Sequence, residues 1–179
     1  SHAQHVSLFV SAVSGEFAST REVLRRELAG PQVELRIQED FVASGGTTLR
    51  QLDDYIRHRD AVIHLVGDLT GADAHAQALA DLRADHPDLA EKLPALAPCL
   101  ADGAPPLSYT QWEAWLALYH GKPLFIFTPA DAAPCAAAGV ADPAQRAAQQ
   151  AHLQRLAAGG GGVSDIAALR RGSIASPDA

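Results

Sequence analysis

The sequence predicts an α/β domain: an open, mostly parallel sheet of four to five strands flanked by helices, with an insertion at about residues 69–106. Three observations predict it. Short β-branched and aromatic runs alternate with segments of helical spacing. Runs such as Leu8-Phe9-Val10 and Leu124-Phe125-Ile126-Phe127 are continuously apolar, as in strands covered on both faces. The helical segments between strands suit right-handed crossovers, which join neighbouring parallel strands.

His5 to Val13 is the first strand. Gly15 to Leu28 has helical spacing through Phe17, Leu24 and Leu28, and Gly30-Pro31 stops it. Val33 to Gln38 alternates, with Val33, Leu35 and Ile37 on one face, as in an edge or half-exposed strand. Glu39 to Thr48 is a loop with two glycines that opens a helix, where Thr48 and Gln51 fit a capping box. Leu49, Leu52 and Ile56 form that helix's buried stripe, and Asp53 and Arg57 an i, i+4 pair. Such a loop can hold a phosphate at the helix N-terminus. No G-x-G-x-x-G or Walker pattern accompanies it, so a plain turn is the commoner reading.

Asp60 to Asp68 is the third strand, and His64 within it reads as a packed, hydrogen-bonded histidine. Residues 69–106 are rich in Ala, Asp and Pro; Ala74 to Ala84 and Leu89 to Leu96 can form short helices. This insertion has no motif and is expected to lie over one rim of the sheet. Pro123 to Thr128 is the fourth strand. Pro143 to Ala158 is a polar helix with Asp142 as its cap. Gly159 to Gly162 breaks the chain, and Ser164 to Arg171 is expected to close it as a short helix. No final strand is legible before Gly159.

The most strongly marked helix is Ser108 to Gly121. Ser108 and Gln111 form a capping box, Leu107 and Trp112 a hydrophobic staple, and Gly121-Pro123 the stop. Trp112, Trp115, Leu116 and Tyr119 make its core stripe. Glu113 lies beside that stripe, with Tyr109, Thr110, Ala117 and His120 as its neighbours on the helix. A carboxylate there is partly desolvated, which suits acid/base or charge-stabilising chemistry. The bland reading is a rim glutamate that reaches water. In open α/β sheets, ligands bind outside the C-terminal strand ends. Those ends supply Ser11 to Ser14, Glu39 to Gly46, Asp68 and Thr128, and the Glu113 helix starts near the same rim.

Composition narrows the classes. The chain has 179 residues, 47% hydrophobic, with a net charge of −7. Its Arg residues are scattered, which argues against nucleic acid or an acidic membrane surface as partner. No apolar run is long enough for a membrane span and no signal peptide opens the chain, so a cytoplasmic protein is expected. Cys99 and Cys135 form no close motif. The histidines show no metal-ligand spacing, so no metal is expected. The chain contains no Met; residues 1–4 are expected to be a tag remnant, and the rest one domain of a longer protein.

Three stretches then carry a resemblance: Leu8-Phe9-Val10-Ser11, the loop Gln38-Glu39-Asp40-Phe41 to Gly45, and Ser108 to Gly121 followed by Lys122-Pro123-Leu124-Phe125-Ile126. In this order and spacing the chain resembles a bacterial TIR (Toll/interleukin-1 receptor) domain of the NAD-cleaving branch, over roughly residues 5–158. The resemblance implies a flavodoxin-like sheet of TIR type within a single domain, 5–171, with 172–179 a tail or the start of a linker. It implies cleavage of the nicotinamide–ribose bond of NAD⁺, with or without cyclisation of the product. Glu113 matches the catalytic position. Ser11, Asp40, Phe41, Ser44, Gly45, Tyr109 and Trp112 match substrate-binding positions, and residues 39–48 the BB loop through which such domains self-associate. NAD⁺ is then substrate, with no cofactor, and a fused C-terminal sensor or oligomerisation domain is expected in a defence or signalling protein.

The chemistry is coherent by itself. Loss of nicotinamide leaves an oxocarbenium-like ribosyl centre, which one carboxylate in a low-dielectric pocket stabilises. Two other readings stand beside it. One is a non-catalytic TIR scaffold that acts by self-association. The other is a nucleoside N-ribosyl hydrolase or transferase, which also uses a glutamate. A serine hydrolase is excluded by the absence of G-x-S-x-G.

Overall fold

A computed structural model of the chain describes residues 5–13, 17–28, 33–37, 49–128, 143–159 and 163–165. The order of elements is β1 (Val6–Ser11), α1 (Ala18–Leu28), β2 (Val33–Ile37), α2 (Leu49–Arg57), β3 (Ala61–Leu65), α3 (Ala76–Asp85) and α4 (Leu89–Lys92). A 3₁₀ turn (Pro94–Leu96), α5 (Ala97–Leu100), α6 (Tyr109–Tyr119), β4 (Leu124–Thr128), α7 (Pro143–Ala158) and β5 (Val163–Asp165) follow. The strands are parallel, in the order β2-β1-β3-β4-β5. This is α/β architecture, a parallel sheet flanked by helices, compatible with a flavodoxin-like fold.

Side chains alternate along each strand and divide the core in two. Phe9, Val62, Val66 and Ile126 join one cluster with α2, α3, α6 and α7. Val10, Ala12, Ile63, Leu65 and Phe127 join the other, closed by Phe17 and by Leu24 of α1. The continuous apolar runs in β1 and β3 are therefore double-faced strands, as their composition predicts.

α6 lies in the larger core. Its predicted capping box is present: Ser108 Oγ accepts from the Gln111 N–H at 3.1 Å, and Gln111 Oε1 from the Ser108 N–H at 3.0 Å. At the other end, Lys122 N–H donates to the Ala117 carbonyl and Gly121 N–H to that of Leu118, the paired bonds of a Schellman motif. Gly121 takes φ +67°, where a Cβ would be strained. Every residue from Thr110 to Ala117 is buried, so the predicted stripe understates the burial. The helix packs on α2 and on the central strands β1, β3 and β4.

Three expectations are corrected. First, the insertion is no rim appendage. Leu82, Leu89, Leu96 and Leu100 enter the same cluster as Trp112 and Trp115. Burial of four leucines contributes roughly 6–12 kcal/mol before chain entropy. Second, Ser164 and Asp165 belong to β5, which pairs with β4, and not to a helix. A sheet edge offered by β4 overrides weak local propensity. Third, Arg57 pairs with Asp54 at 2.8 Å, because Asp53 points inward to two histidines.

Among the described residues, no helix is long and apolar enough to cross a membrane. Cys99 is a free thiol.

Candidate functional site

The strand order reverses direction around β1, so the crossovers part between β1 and β3 and leave a crevice at their C-terminal ends. Ser11 ends β1, and its register partner on β3 is His64. Both side chains point to the α6–α7 side of the sheet. There Glu113, in the second turn of α6, meets them.

Four side chains form one buried chain of hydrogen bonds. Ser11 Oγ lies 2.6 Å from Glu113 Oε1 and 2.8 Å from His64 Nδ1. His64 Nε2 lies 3.0 Å from His152 Nε2 of α7. Exposure is 0% for Ser11, Glu113 and His152 and 1% for His64, which excludes a rim glutamate that reaches water. Burial pushes the His64 imidazole down to about 3. Burial, then the neighbouring His64 and Arg155, holds His152 well below its ordinary value. Both rings are therefore neutral at neutral pH.

Neutrality fixes the tautomers. With Glu113 as carboxylate, the single Ser11 hydroxyl proton goes to Oε1. His64 must then donate its Nδ1–H to Ser11 Oγ, which leaves its Nε2 as acceptor. His152 donates its Nε2–H to that nitrogen. Its own Nδ1 is left as a bare lone pair, and it has no hydrogen-bond partner among the described residues. A proton arriving at His152 Nδ1 can reverse the whole chain. His152 passes Nε2–H to His64, His64 passes Nδ1–H to Ser11, and Ser11 passes its own proton to Glu113. Both histidines end neutral and the carboxyl ends protonated.

A second polar ladder holds the N-terminus of α6 in place. Gln111 Nε2 donates to Gln149 Oε1 at 2.9 Å, and Gln149 Nε2 donates to the carbonyls of Gly67 and Leu69. Gln111 thus caps α6 with its oxygen and ties it to α7 with its nitrogen. The segment after β3 passes close by. Gly71 takes φ +82°, and a Cβ there would lie 3.3 Å from Thr110 Oγ1. Only glycine lets this segment approach so closely.

Of the residues predicted for the site, Ser11 and Glu113 are brought into direct contact. Tyr109 is half-buried one turn before Glu113, its hydroxyl accepting from the His75 N–H at 3.4 Å. Trp112 lies in the core at 1% exposure. Asp40, Phe41, Ser44 and Gly45, with the rest of the 39–48 loop, lie outside the described residues. Sequence reasoning missed His152 and Gln149. The available signal was the i, i+3, i+7 spacing of Gln149, His152 and Leu156, the buried stripe of a helix otherwise read as polar.

Comparison with protein-family models, with curated proteins and with solved structures gives no match to this chain. Its function therefore has to be argued from this geometry.

Proposed function

We propose that the chain is an NAD⁺ nucleosidase of TIR type, a cytoplasmic effector domain that cleaves the nicotinamide–ribose bond with Glu113 as the catalytic carboxylate. One observation carries the reading: a glutamate with no exposure, hydrogen-bonded to Ser11 at the C-terminal end of β1. Burying a carboxylate at a ligand-binding edge costs stability, and a function that uses its charge accounts for that cost. In this reading the carboxylate faces the ribosyl centre as positive charge develops, and Ser11 orients it. Nicotinamide leaves without acid assistance. Tyr109 walls the entrance. The BB-loop region 39–48 completes the assembly by self-association, and the product is linear or cyclic ADP-ribose.

The test is nicotinamide release from NAD⁺ by the purified chain at high concentration, beside Glu113→Gln. Gln keeps an oxygen for Ser11 and removes the charge. A loss of at least about 100-fold is expected, the scale set by removing one preorganised electrostatic group. Equal turnover by the variant would reject the role of Glu113. Turnover of free nucleosides in preference to NAD⁺ would move the activity to the nucleoside N-ribosyl class.

The same burial favours a second reading, a non-catalytic scaffold in which Glu113 is a structural residue of the core, bonded to Ser11. That reading expects no NAD⁺ turnover under any assembled condition, and concentration-dependent association lost on Phe41→Ala.

A further inference from the structure

A second polar cluster lies at the opposite end of α6, about 10 Å along the helix from Glu113 by the rise of seven residues. Asp53 in the middle of α2 receives two imidazoles. His86 Nε2, just past α3, lies 2.7 Å from its Oδ2. His120 Nε2, the C-cap of α6, lies 2.6 Å from its Oδ1. The two rings stand at 82° with centroids 5.8 Å apart, and both present the same ring nitrogen to one point. The three potential ligand atoms lie within 4.8 Å of one another.

We infer that Asp53, His86 and His120 form a binding site for a divalent transition-metal ion, Zn²⁺ in the first instance, with two imidazoles and one carboxylate as protein ligands. The donor set suits a borderline cation better than Ca²⁺ or Mg²⁺, which favour oxygen. The anchors are rigid. Leu49, Leu52 and Ile56 fix α2 with no exposure. Backbone bonds from His86 N–H to the Leu82 carbonyl and from His120 N–H to that of Leu116 fix both histidines at helix ends. Bonds of about 2.0–2.1 Å in a tetrahedral site separate ligand atoms by about 3.3 Å, so the present 2.7 and 2.6 Å contacts need open only by roughly 0.7 Å. Each Nε2 must then be unprotonated, its proton moving through solvent to Nδ1 or leaving to bulk.

Side-chain exposures of 16% for His86, 11% for His120 and 12% for Asp53 keep all three partly in reach of solvent. Tyr119 packs against His86 with centroids 4.4 Å apart and the rings tilted by 41°, and its hydroxyl donates to Asp88 Oδ1 at 2.6 Å. With its hydroxyl committed to Asp88, Tyr119 leaves the fourth position to water. The ligands are 33 and 34 residues apart and come from three elements, so no local spacing announces them.

The experiment is calorimetric titration of the full chain with Zn²⁺, with Co²⁺ absorption as a second readout. His86→Gln/His120→Gln keeps amide donors for Asp53 while removing both imidazoles, and circular dichroism checks its fold. His58→Gln/His75→Gln, at exposed positions, is the control. One saturable Zn²⁺ per chain is expected, with tetrahedral Co²⁺ absorption, weakened at least about 100-fold in the first variant and unchanged in the control. Absence of saturable binding, or equal binding by the folded first variant, would overturn the site. Neither readout involves NAD⁺, so the result is independent of Glu113.

Discussion

Acidification should destabilise this domain through two buried histidines, and the size of the effect follows from the structure. His64 titrates near 6.5 when ordinary and at about 3 in the native state, because it is buried. Between those values the unfolded chain binds a proton that the native chain refuses. Stability is therefore complete above pH 6.5 and falls as pH drops toward 3. At pH 5 the loss from His64 alone is about 2 kcal/mol, and by pH 3 about 4 kcal/mol. His152 is depressed for the same first reason and adds in the same direction. Set against a total stability of roughly 5–15 kcal/mol, that loss is a large fraction of what holds the native state together. Urea unfolding from pH 8 to pH 5 measures this, with emission of Trp112 and Trp115, at 1% and 0% exposure, as the signal. His64→Asn isolates the cause. Its amide can still donate to Ser11, but it does not titrate. The variant will be less stable at pH 8, yet its loss between pH 8 and pH 5 should shrink by about 2 kcal/mol. An unchanged pH dependence would refute the claim that His64 is held neutral.

Other perturbations test other links. Glu113→Gln removes a buried carboxylate but keeps an acceptor for Ser11, so unfolding free energy should rise by about 1–2 kcal/mol, while the proposed NAD⁺ cleavage should be lost. A fall of that size in thermal melts would mark the carboxylate as structural. Leu82→Ala should cost about 2–5 kcal/mol in denaturant titration, because Leu82 has no exposure. A surface insertion would lose under ~1 kcal/mol. Ser108→Ala should cost about 1–2 kcal/mol by the same assay, through loss of the acceptor for the Gln111 N–H.

Much of the fold was legible because its signals are local. The Ser108–Gln111 capping box, the Gly121 stop and the apolar runs of β1, β3 and β4 each occupy a few consecutive residues. β5 was not legible, since three residues after a glycine run become a strand only through β4. Within the site, Ser11 and Glu113 could be paired because both fall at the strand-end rim. His152 could not be, since only the docking of α7 brings it to His64, 88 residues away. Asp53 was misread for a related reason. Its helical neighbour Arg57 offers a surface pair, while the histidines that claim it arrive from distant helix ends.

The burial of α6 has a consequence for motion. From Thr110 to Ala117 the helix has no solvent face, so no fraying or partial opening hydrates its middle. Its amide protons should exchange only through global unfolding and time the opening of the whole domain. Glu113 thus rides on the stretch of chain least able to adjust. Any ligand that reaches the carboxylate must be admitted by what surrounds the helix, chiefly the segment through Gly71 and the polar face of α7 held by Gln149.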